Sequence, residues 1–277
     1  MGAQTWGSSM RKFLLLLLVL WATADKAPAK DIMTPAKAGS SFADWEAVGR
    51  VNLIGTGFCT GALISERLVL TAAHCMFDKR TGKRVPLKNV EFLAGWRNGR
   101  AIATRNARRV VIHRDYEYLS NNRLDRVASD IALIELDLPI RDTLVIPFSQ
   151  ARRPQVGQNV QLVSYTKEQA ETPTLQNQCR VLGRDPQVLV LSCGVTFGAS
   201  GSPIFVMENG HPRIASIVSA RAEWRNQEVA LGASLGRPLD MLIRRLADND
   251  GVFTRIQTVS SSTEGASPEF AAKFVKP

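Results

Sequence analysis

The sequence predicts an all-β protein built from many short strands. Three observations carry that expectation. Short β-branched or apolar runs recur from Trp45 onward, Gly, Asn and Asp separate them, and only one segment near the C-terminus keeps a helical period. The runs fall into two sets. The first comprises Val51–Ile54, Gly61–Ile64, Leu68–Thr71, Val90–Ala94, Val110–His113 and Ile131–Leu136. The second comprises Val160–Ser164, Val188–Leu191, Pro203–Met207, Ile214–Ser219 and Val229–Leu231. Strands at this spacing fit a barrel or a sandwich. The helix is expected behind Pro238, where Leu239, Leu242, Ile243 and Leu246 recur at helical spacing and Asp240, Arg244 and Arg245 would face water.

The segments before and after this region read differently. Arg11-Lys12, the apolar run Phe13 to Trp21 and the small residues Ala22-Thr23-Ala24 make residues 1–24 a secretory signal peptide. The run is too short to span a bilayer, which needs about 20 residues. Met10 stands directly before the basic pair, so translation could begin at Met1 or at Met10. Residues 25–43, rich in Lys, Ala, Ser and Pro, read as a leader or propeptide. The two strand sets then define units at 44–146 and 158–250, joined by a polar, proline-bearing crossover at 147–157. Residues 251–277 turn to Ser, Thr, Gly, Glu and Pro and read as a tail, disordered from about 258.

Composition narrows the function. Two basic and no acidic residues precede Asp25, so the net charge of +10 falls to about +8 on cleavage there. Arg and Lys are scattered, and no basic stripe with interleaved aromatics marks a nucleic-acid surface. No second long apolar stretch follows the signal peptide, so the exported chain is expected to be soluble, free of the membrane and monomeric. Four cysteines in an exported chain point to two disulfides. Of the three connectivities, local pairing of Cys59 with Cys75 and of Cys179 with Cys193 is the simplest. None has Cys-x-x-Cys spacing and only three histidines exist, so neither a metal nor another cofactor is expected.

Acyl transfer by serine needs a hydroxyl, an imidazole to take its proton, a carboxylate to orient the imidazole, and N–H donors for the oxyanion. His74 ends an apolar strand in Leu70-Thr71-Ala72-Ala73-His74-Cys75. His113 and His211 lie in a polar turn and an Asn-Gly hairpin and read as structural. Asp130 opens the apolar run Ile131-Ala132-Leu133-Ile134, where a carboxylate is costly unless a partner receives it. Ser200 lies in Gly198-Ala199-Ser200-Gly201-Ser202-Pro203, whose glycines permit a tight turn that exposes the hydroxyl and converges the N–H groups of Gly198 and Ser200.

These three motifs, in the order His, Asp, Ser, closely resemble the active-site motifs of trypsin-like serine proteases, over roughly Trp45 to Asp248. The resemblance implies a chymotrypsin-like fold of two antiparallel six-stranded β-barrels with a C-terminal helix and the active site between them. It implies a secreted or periplasmic serine endopeptidase acting on proteins or peptides. Ser200 would be the nucleophile, His74 the general base and acid, Asp130 the orienting carboxylate, and Gly198 and Ser200 the oxyanion donors.

The pattern departs from digestive members at Ala199, where those carry an Asp that pairs with a newly cut N-terminus. Ala199 with Ser202 looks more like the bacterial glutamyl-endopeptidase branch, although Val218 stands where that branch places a pocket His. Substrate-binding positions by the same correspondence are Gly194 at the pocket base, Val218 and Ser219 on its wall, and Arg221 at a neighbouring subsite. The alternative is a catalytically silent binding protein of the cell envelope, although relatives of that kind usually break the triad.

Overall fold

The computed structural model describes residues 44–254, with Gly2 and the backbone of Thr34–Pro35. The expected signal peptide, the remainder of the leader and the tail beyond Thr254 lie outside the described residues. Strand β1 (Thr34–Pro35) is followed by β2 (Val48–Leu53), β3 (Gly57–Ser65), β4 (Leu68–Thr71), β5 (Val90–Ala94), β6 (Ala103–Ile112) and β7 (Ala132–Leu136). Strands β2 to β7 run in the order β6-β5-β2-β3-β4-β7, and β7 pairs back onto β6 to close the sheet. The second half supplies β8 (Asn159–Ser164), β9 (Thr174–Arg184), β10 (Val188–Leu191), β11 (Pro203–Glu208), β12 (His211–Trp224) and β13 (Gln227–Ser234). Their order is β9-β10-β13-β12-β11-β8, with β8 closing onto β9. The result is two closed antiparallel six-stranded barrels, as the resemblance implied. A short strand extends each one, β1 on β9 and β14 (Val252–Thr254) on β6.

Side-chain alternation explains the strands. In β2, Val51 and Leu53 point inward while Arg50 and Asn52 stay partly exposed. Every run singled out as a strand falls on one to within a residue. The exception to legibility is β9, a strand of sequence TLQNQCRVLGR whose buried side chains include Thr174 and Gln176. Polar residues facing inward erase the alternation on which a strand reading rests.

Two helices complete the fold. Helix α1 (Arg123–Ala128), unforeseen, starts at Asn122, whose side chain accepts the Asp125 N–H. Helix α2 (Arg237–Ala247) is the expected one, and Leu239, Leu242 and Leu246 are buried. Two expectations for its faces fail. Ile243 is exposed, and Arg245 does not face water but donates to the Ile112 carbonyl at 2.8 Å and to Asp250. Its guanidinium docks α2 onto the end of β6, beyond what the apolar stripe achieves alone. Likewise Val252–Thr254, expected in the tail, pair with β6 at Val111, Val110 and Arg109. Among the described residues no helix is long and apolar enough to cross a membrane.

The barrels meet on an aromatic seam. Phe205 of β11 packs 4.7 Å from both Trp45 and Phe148, centroid to centroid, in tilted or edge-on geometry. Each such pair adds about 0.5–1.5 kcal/mol beyond area burial. Polar stitches cross the same seam. The Thr60 Oγ1 of β3 accepts the Tyr165 N–H at 3.0 Å and donates to the Gly198 carbonyl at 3.0 Å. The Thr60 N–H donates to the Ser200 carbonyl at 2.9 Å. The loop after β10 is therefore fixed against the first barrel, and the cleft lies along that line of contact.

Candidate active site

His74 sits in the 3-10 turn Ala73–Met76 that follows β4. A disulfide joins its neighbour Cys75 to Cys59 of β3, and a second joins Cys179 to Cys193, so the simplest pairing is the one present. The first bridge and the buried Ala72-Ala73 hold the turn against the barrel wall. Both bridged sulfurs approach His74 in a cluster of potential ligand atoms within 4.8 Å, but disulfide sulfur is not the thiolate that metals bind.

Asp130 lies between α1 and β7, whose Ala132 pairs with Thr71 at the end of β4, so His74 and Asp130 leave the same end of one ladder. It is 2 % exposed, and an isolated charge there would be strongly disfavoured. Its carboxylate is fully engaged. Oδ1 accepts the His74 backbone N–H at 2.8 Å, while Oδ2 accepts from His74 Nδ1 at 2.7 Å and from the Ser219 hydroxyl at 2.5 Å. An ionised carboxylate can only accept, so Nδ1 carries the imidazole proton and Nε2 is left as the basic nitrogen. Nearby, burial and then the Asp130 charge push the Tyr116 hydroxyl well above its ordinary range.

The Ser200 loop is shaped by two glycines. Gly198 has φ +97°, and a Cβ there would lie 2.6 Å from the Phe58 ring and 2.8 Å from the Tyr165 carbonyl. Gly201 has φ +76°, and a Cβ there would lie 2.5 Å from the Thr60 carbonyl and 2.9 Å from the Ala72 nitrogen. Neither position tolerates a side chain. Ala199, Gly201 and Ser202 donate their N–H groups to the carbonyls of Thr196, Val218 and Ala199. Among the described residues, no acceptor meets the N–H groups of Gly198 and Ser200. Two donors flanking Ala199 are thus left open, while the N–H groups of Ala199, Gly201 and Ser202 are occupied. No hydrogen bond joins the Ser200 hydroxyl to His74, an arrangement usual in sites without substrate, where such bonds tighten on binding.

Three cavities line the cleft. Ser200 opens onto one of about 400 Å³, walled by Val195, Phe197 and Val218 to Arg221. His74 and Gly198 line a second of about 330 Å³, next to the Cys59–Cys75 bridge. A groove of about 870 Å³ runs from His74 and Asp130 along Ser219 to Ala222. Of the positions assigned to substrate, Val218, Ser219 and Arg221 line the first cavity and Gly194 does not. The Gly194 backbone is instead clamped by the Gln176 side chain, which donates to its carbonyl at 2.7 Å and accepts its N–H at 3.0 Å. With the segment held there, Val195 and Thr196 take over the wall.

The family profile of trypsin matches residues 35–230, well over half the chain. The chain belongs to the trypsin family. Its relatives in that family include the serine protease filzig of Drosophila melanogaster, 34 % identical over 119 residues. The coagulation factor IX proteins of Cavia porcellus and Oryctolagus cuniculus are 31 % and 33 % identical over 101 and 97 residues. These matches take in 39 %, 35 % and 35 % of this chain but only 6 %, 31 % and 32 % of the relatives, so the similarity is to a part of each. Trypsin-family membership agrees with the two closed six-stranded barrels. Four contributions escape the three sequence motifs: Ser219 on Asp130, Thr60 across the seam, Gln176 under the pocket wall, and α1 ahead of Asp130. Of these, Ser219 had been expected as a substrate contact, and Thr60 in the strand segment that resembles the one packed under the histidine loop.

Proposed function

We propose that this trypsin-family chain is an exported serine endopeptidase that hydrolyses peptide bonds through an acyl-enzyme on Ser200. One observation carries the proposal: two unoccupied N–H groups lie in the Ser200 loop, beside an imidazole whose tautomer is set by a buried carboxylate. In the reaction, His74 Nε2 takes the Ser200 proton as Oγ attacks the carbonyl carbon. The N–H groups of Gly198 and Ser200 receive the developing oxyanion, the term on which acyl transfer depends most. The C–N bond then breaks as His74 returns the proton to the leaving amine. Water repeats the cycle on the ester, and Asp130 stays ionised throughout, stabilising the imidazolium.

Export is supported by the signal-peptide pattern and by two disulfides, which persist in oxidising compartments outside the cell or in a periplasm. Placement near the bacterial glutamyl-endopeptidase branch rests on Ala199, 1 % exposed, and on Ser202. Preference for a glutamyl side chain is not supported, because Val218 presents an apolar wall to the cavity beside Ser200. A peptide-library cleavage profile of wild type against Ser200→Ala tests the proposal. The variant is expected to lose about 10⁶ in kcat with its fold intact. Equal cleavage by both forms, or none by either, would overturn it, and the latter would favour a silent binding protein.

A further inference from the structure

We infer that the leaving-group side of the cleft selects an acidic side chain within the first two residues after the scissile bond, through Lys79 and Lys167. The inference rests on the endopeptidase reading, which fixes how a substrate lies. The cavity beside Ser200 shares Val218 to Arg221 with β12, so the acyl half of a substrate lies along that strand. His74 must hand its proton to the departing amine. The departing half therefore enters the cavity of about 330 Å³ that His74 and Gly198 line, which neither Ser200 nor β12 reaches.

That cavity has an uncommon lining. Its floor is apolar, made by Leu53, Phe58, Phe77 and the Cys59–Cys75 bridge, and no carboxylate contributes to it. Its charged groups are Lys79 and Lys167, both exposed; Lys167 lines this cavity alone, while Lys79 also reaches the cavity beside Ser200. The two flank Phe197. The Lys79 ammonium lies 5.2 Å from the Phe197 ring centroid, and the Lys167 N–H donates to the Phe197 carbonyl at 2.7 Å. Among the described residues neither lysine makes an ion pair, whereas Arg221 across the cleft already faces Glu228 at 3.6 Å. Glu168, next to Lys167, has its carboxylate bound by the Thr196 hydroxyl at 2.8 Å and lines the other cavity. Its own backbone N–H, then Thr196, hold its pKa below the ordinary carboxylate range, with a smaller contribution from the Lys167 charge.

Two lysines without a salt bridge, beside an apolar lining, favour a side chain with a short apolar stem and a carboxylate tip, namely Glu or Asp. Exposed pairs are individually weak, so the selectivity is expected to be modest and salt-sensitive.

The test uses the full chain and quenched fluorescent peptides identical except for Glu, Gln or Lys at the first or second position after the cleaved bond. The Glu peptide should show kcat/KM about fivefold above Gln at low salt, with Lys below Gln, and the spread should shrink at about 0.5 M NaCl. Lys79→Gln and Lys167→Gln should each narrow the Glu-to-Gln ratio, and Lys167→Glu should move the preference towards Lys. Both lysines are exposed, so circular dichroism should show folded variants. Equal rates on all three peptides, or a Glu preference that survives both Gln variants, would overturn the inference while leaving the endopeptidase reading intact. Cleavage of none of them would instead sink that reading, and this inference with it.

Discussion

His74 and Asp130, delivered by the first barrel, use their hydrogen bonds on each other, on a backbone N–H and on Ser219. Gly198 and Ser200, delivered by the second, keep two N–H groups unused, while those of Ala199, Gly201 and Ser202 are occupied. One half of the site is closed, the other is open. The closed half fixes a proton and its direction before substrate arrives. The open half offers donors that only a substrate oxygen can satisfy, and holds them still with glycines that admit no side chain. Preorganisation takes a different form in each half, and variants in each should fail differently.

The largest separation is expected from Asp130→Asn. The shape is kept, but the amide can donate to Nδ1 and favour the wrong tautomer. A loss of about 10⁴ in kcat is expected, with unchanged circular dichroism. A loss of only a few-fold would mean that Asp130 does not orient His74.

Gly198→Ala attacks the open half. The new Cβ would press on Phe58 and on the Tyr165 carbonyl, tilting one donor away. The expected cost is about 10² to 10³ in kcat, as for removal of one oxyanion donor, with a smaller change in KM. Ser219→Ala removes one of the three hydrogen bonds on Asp130. About 1.5 kcal/mol, or roughly tenfold in kcat/KM, is expected for a bond to a charged group. If Ser219→Ala cost as much as Asp130→Asn, the three bonds on that carboxylate would have to act as one unit.

The smallest effect concerns stability. His113, 8 % exposed, does not line any of the three cavities described above. Burial pushes its imidazole below the ordinary value of 6.5, with Arg245 and Arg114 adding to the shift and Asp115 opposing it. The unfolded chain therefore binds more protons than the folded one as the pH falls below 6.5. His113 costs nothing above that pH and destabilises the fold below it. Melting curves from pH 7 to pH 5 should show a steeper decline for wild type than for His113→Asn, and parallel curves would contradict this assignment.

Much of this was legible in the sequence because the signals were local. Strands with one face inward announce themselves, and His74, Asp130 and Ser200 each sit in a short motif. What escaped depended on contacts distant in sequence. Strand β9 hides behind a buried Gln176, whose task is to grip the Gly194 backbone 18 residues later. Ser219 reaches Asp130 because the β12–β13 register shifts between Val218 and Ala220, leaving Ser219 outside the ladder. A bulge of that kind has no signature in Ile217-Val218-Ser219-Ala220. Ile243 kept the helical period of α2 yet stayed in water, since a period alone does not say where the covered stripe ends.

The most direct test of the central claim is reaction with a serine-directed phosphonylating reagent, followed by peptide mapping. Wild type should carry one adduct, on Ser200, formed rapidly near neutral pH. His74→Ala should react far more slowly although its serine is intact, because no base remains to take the proton. An adduct on another residue, or equal labelling rates in wild type and His74→Ala, would contradict the assignment of a hydroxyl activated by the His74–Asp130 pair.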